Sequence, residues 1–331
     1  MSVTTTYGDI SPRTAAYAIA ELLKRAMPYL CIEKFGQAYP IPERNSKVAK
    51  FRRYNALALA TTPLVEGVTP TGKTLTSTDV TATLQQYGDF VEISDVIADT
   101  HEDPVFQQAQ QILAEQAAQT IETVRFNILK AGTNVFYPGA ITSRATVNDA
   151  ISLTMQRKIT RTLKRQNARH ISSVIRSTPD YGTQNVEASF IALCHSDCEN
   201  DIRGMTGFIN TKDYGTITPW ENEIGSVEDV RYVRSTIFTP WLAAGASVGA
   251  TGMIADDDTN IDVYPILYVS ADAYGVVPLK GLKSITPTVI NPTPSKSDPL
   301  GQRGYVSWKS MQTAAILNDA WMVRAEVGAT D

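Results

Sequence analysis

The sequence predicts an α+β fold, on three observations. Apolar residues recur at helical spacing over 104–131, short strand-like and helical runs then alternate without a regular strand–helix–strand series, and the stretch 301–328 is dense in strand formers. A regular alternation would instead predict a doubly wound parallel sheet.

The opening residues read as an arm. Within it, Ser11-Pro12 places a cap and a proline at the start of a helix that runs through Ala15 to Met27, and Pro28 ends it. Over Lys47–Asn55, Val48, Phe51 and Tyr54 stand among Lys47, Lys50, Arg52 and Arg53, which predicts an exposed edge strand. A Thr-rich stretch with Pro63, Gly67, Pro70 and Gly72 follows, and strand character returns over 81–95. Strand, polar tip, strand outlines an extended hairpin. A two-stranded ribbon is marginal alone, so its implied support is another subunit.

Asp103-Pro104 opens the clearest element. Val105, Ala109, Ile112, Ala117, Ile121, Val124 and Ile128 keep helical spacing up to Gly132, a rod of roughly 40 Å. A second helix is predicted over 147–167, opening at Asn148-Asp149 and ending on Arg161, Lys164 and Arg165. Next come a strand at 189–194, a helix at 197–205, and strands at 227–238, 261–269 and 276–279. The run from Tyr305 to Val327 supplies strands that close a sheet begun much earlier.

Composition narrows the function classes. The chain has 331 residues, 43% hydrophobic and 19% charged, with a formal charge of −4, which is the make-up of an ordered globular protein rather than of an autonomous DNA-binding domain with a basic surplus. There is no apolar run of roughly 20 residues, and Met1–Ile10 is polar, so no membrane partner and no export signal are expected. The three cysteines, Cys31, Cys194 and Cys198, are too few to staple the chain and suit a reducing cytoplasm.

Four motif matches fail on context. Gly67–Thr74 fits GxxxxGK[ST], which would offer Gly72, Lys73 and Thr74 to a nucleotide, but neither a buried strand before it nor a helix after it is predicted. Gly245–Gly249 fits the GxSxG elbow around Ser247, yet His101, His170 and His195 all precede it, against the order Ser, acid, His. Cys194, His195 and Cys198 lack a second ligand pair for zinc. Asp256, Asp258 and Asn260 begin a calcium loop in which Ile261 replaces the required Gly and Leu267 the Glu. The expectation is a protein with no catalytic residues, cofactor or metal.

One resemblance spans nearly the whole chain. Lys50-Phe51-Arg52-Arg53-Tyr54, the run Pro63–Pro70, Tyr87-Gly88, Asp95-Val96, Thr120-Ile121-Glu122, Asn291-Pro292 and Asp298–Gly304 with Trp308 together resemble the major capsid proteins of tailed bacteriophages. That resemblance implies the Hong Kong 97-like capsid fold. Residues 1–46 would be its N-terminal arm, 47–95 its extended loop, 96–149 with 281–331 a peripheral domain around a spine helix at 104–131, and 150–280 an axial domain. It implies a virion subunit that assembles in the host cytoplasm as hexamers and pentamers into an icosahedral shell around double-stranded DNA. A portal protein would occupy one vertex. The short arm leaves room for a separate scaffold, and decoration proteins are open. Contact with the packaged DNA is expected to be weak and non-specific. A cellular nanocompartment shell of the same fold is the alternative.

Copies in a ring meet head to tail, so each surface must complement a different surface of its neighbour. Arg52, Arg53, Glu66 and Lys73 on the hairpin are the expected charged contacts to a neighbour. Trp220 and Trp241, in turn-like polar contexts, are the expected apolar ones, with local packing as their alternative.

Overall fold

Two sheets and a projecting hairpin organise the chain. The computed structural model describes residues 30–42, 44–96, 105–176, 182–214, 219–249, 252–257, 259–279, 285–294 and 299–331, and of 173–176 and 182–187 the backbone alone. The expected helix over 11–27, the Asp103-Pro104 cap, His101, Asp258 and Asp298 lie outside the described residues.

An eight-stranded sheet runs β5 (Val135–Phe136), β15 (Met322–Val327), β11 (Tyr264–Val269), β7 (Gly182–Cys194), β10 (Val230–Arg234), β9 (Glu223–Val227) and β8 (Phe208–Asn210), with β6 (Ile171–Arg176) bonded to β7 off this path. Its central strands are apolar on both faces because both are covered. Phe190, Ala192, Cys194, Tyr232, Tyr264, Ile266 and Tyr268 face one core, under helices α2 (Leu153–Arg165) and α3 (Glu199–Gly204). Ile191, Leu193, Val233, Leu267 and Val269 face the other. There they meet the end of the long helix α1 (Val105–Leu129), where Phe126 stacks on Phe238 at 4.7 Å.

A five-stranded sheet runs β1 (Gln37–Ala38), β12 (Tyr274–Pro278), β14 (Arg303–Ile316) and β13 (Ile285–Ile290), with β4 (Gln85–Ser94) also on β14. The 25 residues of α1 span about 37 Å and lie along this sheet's inner face, where Leu113 and Ala117 pack against Ile93, Val306 and Trp308. The contact has a polar clasp: the Trp308 indole donates to Gln116 Oε1 (3.1 Å), and the Gln116 amide donates to Asp89 Oδ2 (2.7 Å). The hydrogen bond from Gln116 holds the Asp89 carboxyl below its ordinary range.

The α+β class holds, and so do the rod and the closing strands. Residues 303–312 pair with 94–85 in antiparallel register. Other bounds differ. The second helix starts at Leu153, with Ser152 as its cap accepting Met155 N–H, because the Val147 and Asp149 carbonyls are taken by Ala246 and Gly328. The strand expected over 227–238 is shorter, β10 at Val230–Arg234, and is the second strand of a hairpin with β9 turned at Glu228 (φ 51°) and Asp229. The strand expected over 81–95 is two: β3 (Ser77–Thr83) belongs to the hairpin, and after Leu84 the chain enters β4. Among the described residues no helix is long and apolar enough to cross a membrane.

Candidate intersubunit contact surfaces

The projecting hairpin is β2 (Val48–Tyr54) against β3, in register from Val48↔Thr83 to Tyr54↔Ser77. Alternation sends Ala49, Phe51 and Arg53 with Val80 and Ala82 to one face, and Lys50 and Arg52 with Asp79 and Thr81 to the other. The base of the first face is seated: Ala49, Ala82 and Leu84 are buried with Val277 and Ala315. Phe51 lies so close over Gly275 that a Cβ there would come within 2.8 Å of its ring, so any larger residue would push the Phe51 ring aside.

On the second face Arg52 grips Asp79 through two bonds, Nε–Oδ1 at 2.8 Å and Nη2–Oδ2 at 3.0 Å, while Lys50 reaches Oδ2 at 2.7 Å. The Arg52 bond, then that of Lys50, hold the Asp79 carboxyl far below its ordinary value. Arg52 is thereby engaged within its own hairpin. Arg53 and Glu66 are exposed, with no ion-pair partner among the described residues. Lys73 donates to the Ala58 carbonyl at 2.8 Å and so ties the two sides of the 55–76 loop together.

That loop contains a turn, Val65 to Val68, closed by a 3.1 Å backbone bond with Gly67 at φ 75°. No helix begins at Lys73, so the frame of a phosphate loop is not built here. The loop's composition disguises its surface. Leu57, Leu59, Leu64, Val65, Val68 and Leu75 all face solvent, Leu59 at 86% and Leu64 at 78% exposure. Six large apolar side chains exposed on one segment form an apolar surface of the kind that serves as a contact surface in other proteins. The expected charged contacts Arg52, Arg53, Glu66 and Lys73 do not include these apolar residues, which stand between the threonines of the sequence.

The two tryptophans pack within the subunit. Trp220 meets Phe35 edge-on at 6.0 Å, with the Arg231 guanidinium 5.3 Å from its ring, and its buried Nε1 has no acceptor among the described residues. Arg144 stacks on Trp241 at 3.6 Å, and Lys130 and Arg324 stand at 5.2 and 5.5 Å. Burial, then Arg144 and Arg324, lower the Lys130 pKa. Arg144 and Arg324 also converge at 2.8 Å each on Glu326, a fully buried carboxylate.

The remaining motif residues are structural in geometry. Cys31, Cys194 and Cys198 are buried and free, and burial pushes all three thiols up, Cys31 to about 12. Asp257 Oδ1 accepts the N–H groups of Thr259 and Asn260, which shapes the acidic loop. Ser247 sits in an isolated bridge to Asn260. Among the described residues no three His, Cys, Asp or Glu side chains are grouped to hold a metal.

The model of the phage capsid protein family matches residues 77–324. The chain belongs to the phage capsid protein family. Solved structures agree with this capsid fold. The capsid of Ralstonia phage GP4 is 13% identical with a TM-score of 0.65, covering 89% of this chain and 87% of that one. The capsid of cyanophage Pam1 is 14% identical, TM-score 0.61, covering 92% of each. The head of Helicobacter pylori bacteriophage KHP40 is 12% identical, TM-score 0.60, covering 90% of this chain and 88% of that one. At such identities the likeness is one of fold. Comparison with curated protein sequences finds no match.

Proposed function

We propose that this capsid protein is the major, shell-forming subunit of a tailed phage, with the Hong Kong 97-like division of labour. Residues 1–46 act as arm, 47–95 as extended loop, 96–149 with 281–331 as peripheral domain, and 150–280 as axial domain. The supporting observation is the hairpin: its base is seated on the subunit's own sheet, while its tip presents Leu59, Leu64, Val65 and Val68 to solvent. A ribbon so disposed is stable at its root and unsatisfied at its end, which suits head-to-tail contact between copies.

On this reading the tip lies on the neighbouring copy. Arg53 and Glu66 add the charged contacts, Arg52 and Lys73 hold the ribbon's shape, and Trp220 and Trp241 stiffen the body. Hexamers and pentamers of the subunit form the icosahedral wall around double-stranded DNA, with a portal at one vertex and a separate scaffold during assembly in the host cytoplasm. The role is structural and uses no catalysis.

Negative-stain electron microscopy with light scattering across rising concentration tests this. Rings, sheets or closed shells are expected. A monodisperse monomer at every concentration, with the phage's scaffold co-expressed as well, would overturn it.

A further inference from the structure

Helix α2 carries Arg157, Lys158, Arg161, Lys164 and Arg165 and no acidic residue. Met155, Ile159 and Leu163 turn into the core of the eight-stranded sheet, so all five cations are left on the solvent side. In a chain of formal charge −4 this is a local reversal of sign. The helix dipole accounts for cations in the last turn but not for Arg157 and Arg161 further back.

Local ion pairing accounts for only part of the set. Arg157 donates to Glu228 Oε1 at 2.8 Å and Lys164 pairs with Asp229, both acids lying on the β9–β10 turn. The Lys158 ammonium stands 5.5 Å from the Phe136 ring. Arg161 and Arg165 have no ion-pair partner among the described residues. Together Arg157, Thr160, Arg161, Lys164, Arg165 and Glu228 line an open cleft of about 450 Å³.

We propose that this face of α2 is a phosphate-binding surface that meets the backbone of the nucleic acid enclosed by the shell, an inference that rests on reading the chain as a shell subunit. Arg157, Arg161 and Arg165 stand four residues apart, about 6 Å per step and about 12 Å in all along the helix. A duplex presents roughly seven phosphates over that length. Guanidinium forks engage phosphate oxygens in pairs, and an open cleft suits the flank of a polymer better than it would enclose a small anion. Glu228 and Asp229 offset two of the cations, which keeps the contact weak and releasable.

The test is fluorescence anisotropy of a labelled mixed-sequence duplex of about 30 base pairs with the unassembled full chain, from about 50 to about 200 mM salt. Two or three phosphate contacts give a slope of log K against log salt of about −2 to −3. Arg161→Glu with Arg165→Glu weakens low-salt binding at least about tenfold and flattens the slope by about 2. The same charge change at Lys212 and Lys309, exposed and outside the cleft, leaves both unchanged. Arg161→Gln with Arg165→Gln provides the answer if the reversal does not fold. Unaltered binding by the glutamine pair, or an equal loss in the Lys212 and Lys309 control, overturns the proposal. So does displacement of the duplex by polyglutamate at equal charge concentration, which would assign the face to an acidic protein. Microscopy separates this from the shell reading: shells formed by the unaltered chain uphold that reading whatever the duplex does.

Discussion

Glu122, in the third quarter of α1, accepts the backbone N–H of Ile32 at 2.8 Å with the same Oε1 atom that accepts the N–H of Cys31 at 2.9 Å. A helix carboxylate thus fixes the segment around Ile32 against α1. The Tyr274 hydroxyl secures the other side by donating to the Ile32 carbonyl at 2.6 Å, and Arg125 reaches Glu33 at 3.0 Å.

Glu122 is fully buried, and burial raises its pKa from 4.5 to about 7 against the opposing pull of Arg125 and the two N–H groups. Between those values the folded chain holds a proton that the unfolded chain has released. Stability is therefore greatest below about pH 4.5 for this group and falls as pH rises to about 7, by up to about 3 kcal/mol. Urea midpoints measured across that range should decline for the unaltered chain and stay flatter for Glu122→Gln. Glu122→Ala, which strands both N–H groups, should cost about 2–4 kcal/mol and expose 30–42 to limited proteolysis.

The two neighbouring arginines of β2 should behave differently. Arg53→Glu should stop assembly while the monomer melts normally, since Arg53 faces solvent beyond the seated part of the ribbon. Asp79→Ala removes the grip on Arg52 and Lys50 and should speed hydrogen exchange of the 48–54 amides without moving the main melting transition. Normal particles from Arg53→Glu would remove that residue from the contact.

Leu59, Leu64 and Val65 give the apolar counterpart. Replacing all three with Ser should leave the melting temperature within about 1–2 °C, as exposed positions do, raise monomer solubility and abolish shells. Shells of normal size from this variant would show that the tip does not carry the contact.

Glu326→Ala should destabilise by about 3–5 kcal/mol, because it leaves Arg144 and Arg324 without the carboxylate they converge on. Thermal denaturation measures it. Glu326→Gln should lose less, as it keeps acceptor geometry.

Legibility in the sequence followed the range of the forces. α1 could be read because its apolar spacing persists for seven turns, and β11 and the 190–194 end of β7 because burial on both faces leaves continuous apolar runs, whereas the polar first half of β7, from Gly182, carries no such signal. The start of α2 could not: Val147 and Ile151 have helix-like spacing, but the Val147 and Asp149 carbonyls are bonded by Ala246 and Gly328, far along the chain. Arg52 looked free because its partner Asp79 becomes adjacent only when the hairpin closes. The anchoring role of Glu122 has no local sign beyond its spacing to Ala118, Arg125 and Leu129 on the buried side of α1. At the hairpin tip Thr, Pro and Gly outnumber the leucines, so its composition signals a polar loop while its exposed side chains include Leu57, Leu59, Leu64 and Leu75.

β14 and β15 carry a consequence for synthesis. β4 waits for residues 303–312 and β11 for residues 322–327 before either sheet is complete. A nascent chain that has not reached Arg303 thus has a hairpin without its full seat, since Ala315 is part of it. Such non-local closure is slow, and an unfinished or truncated chain lacks part of the rigid root on which its hairpin is seated.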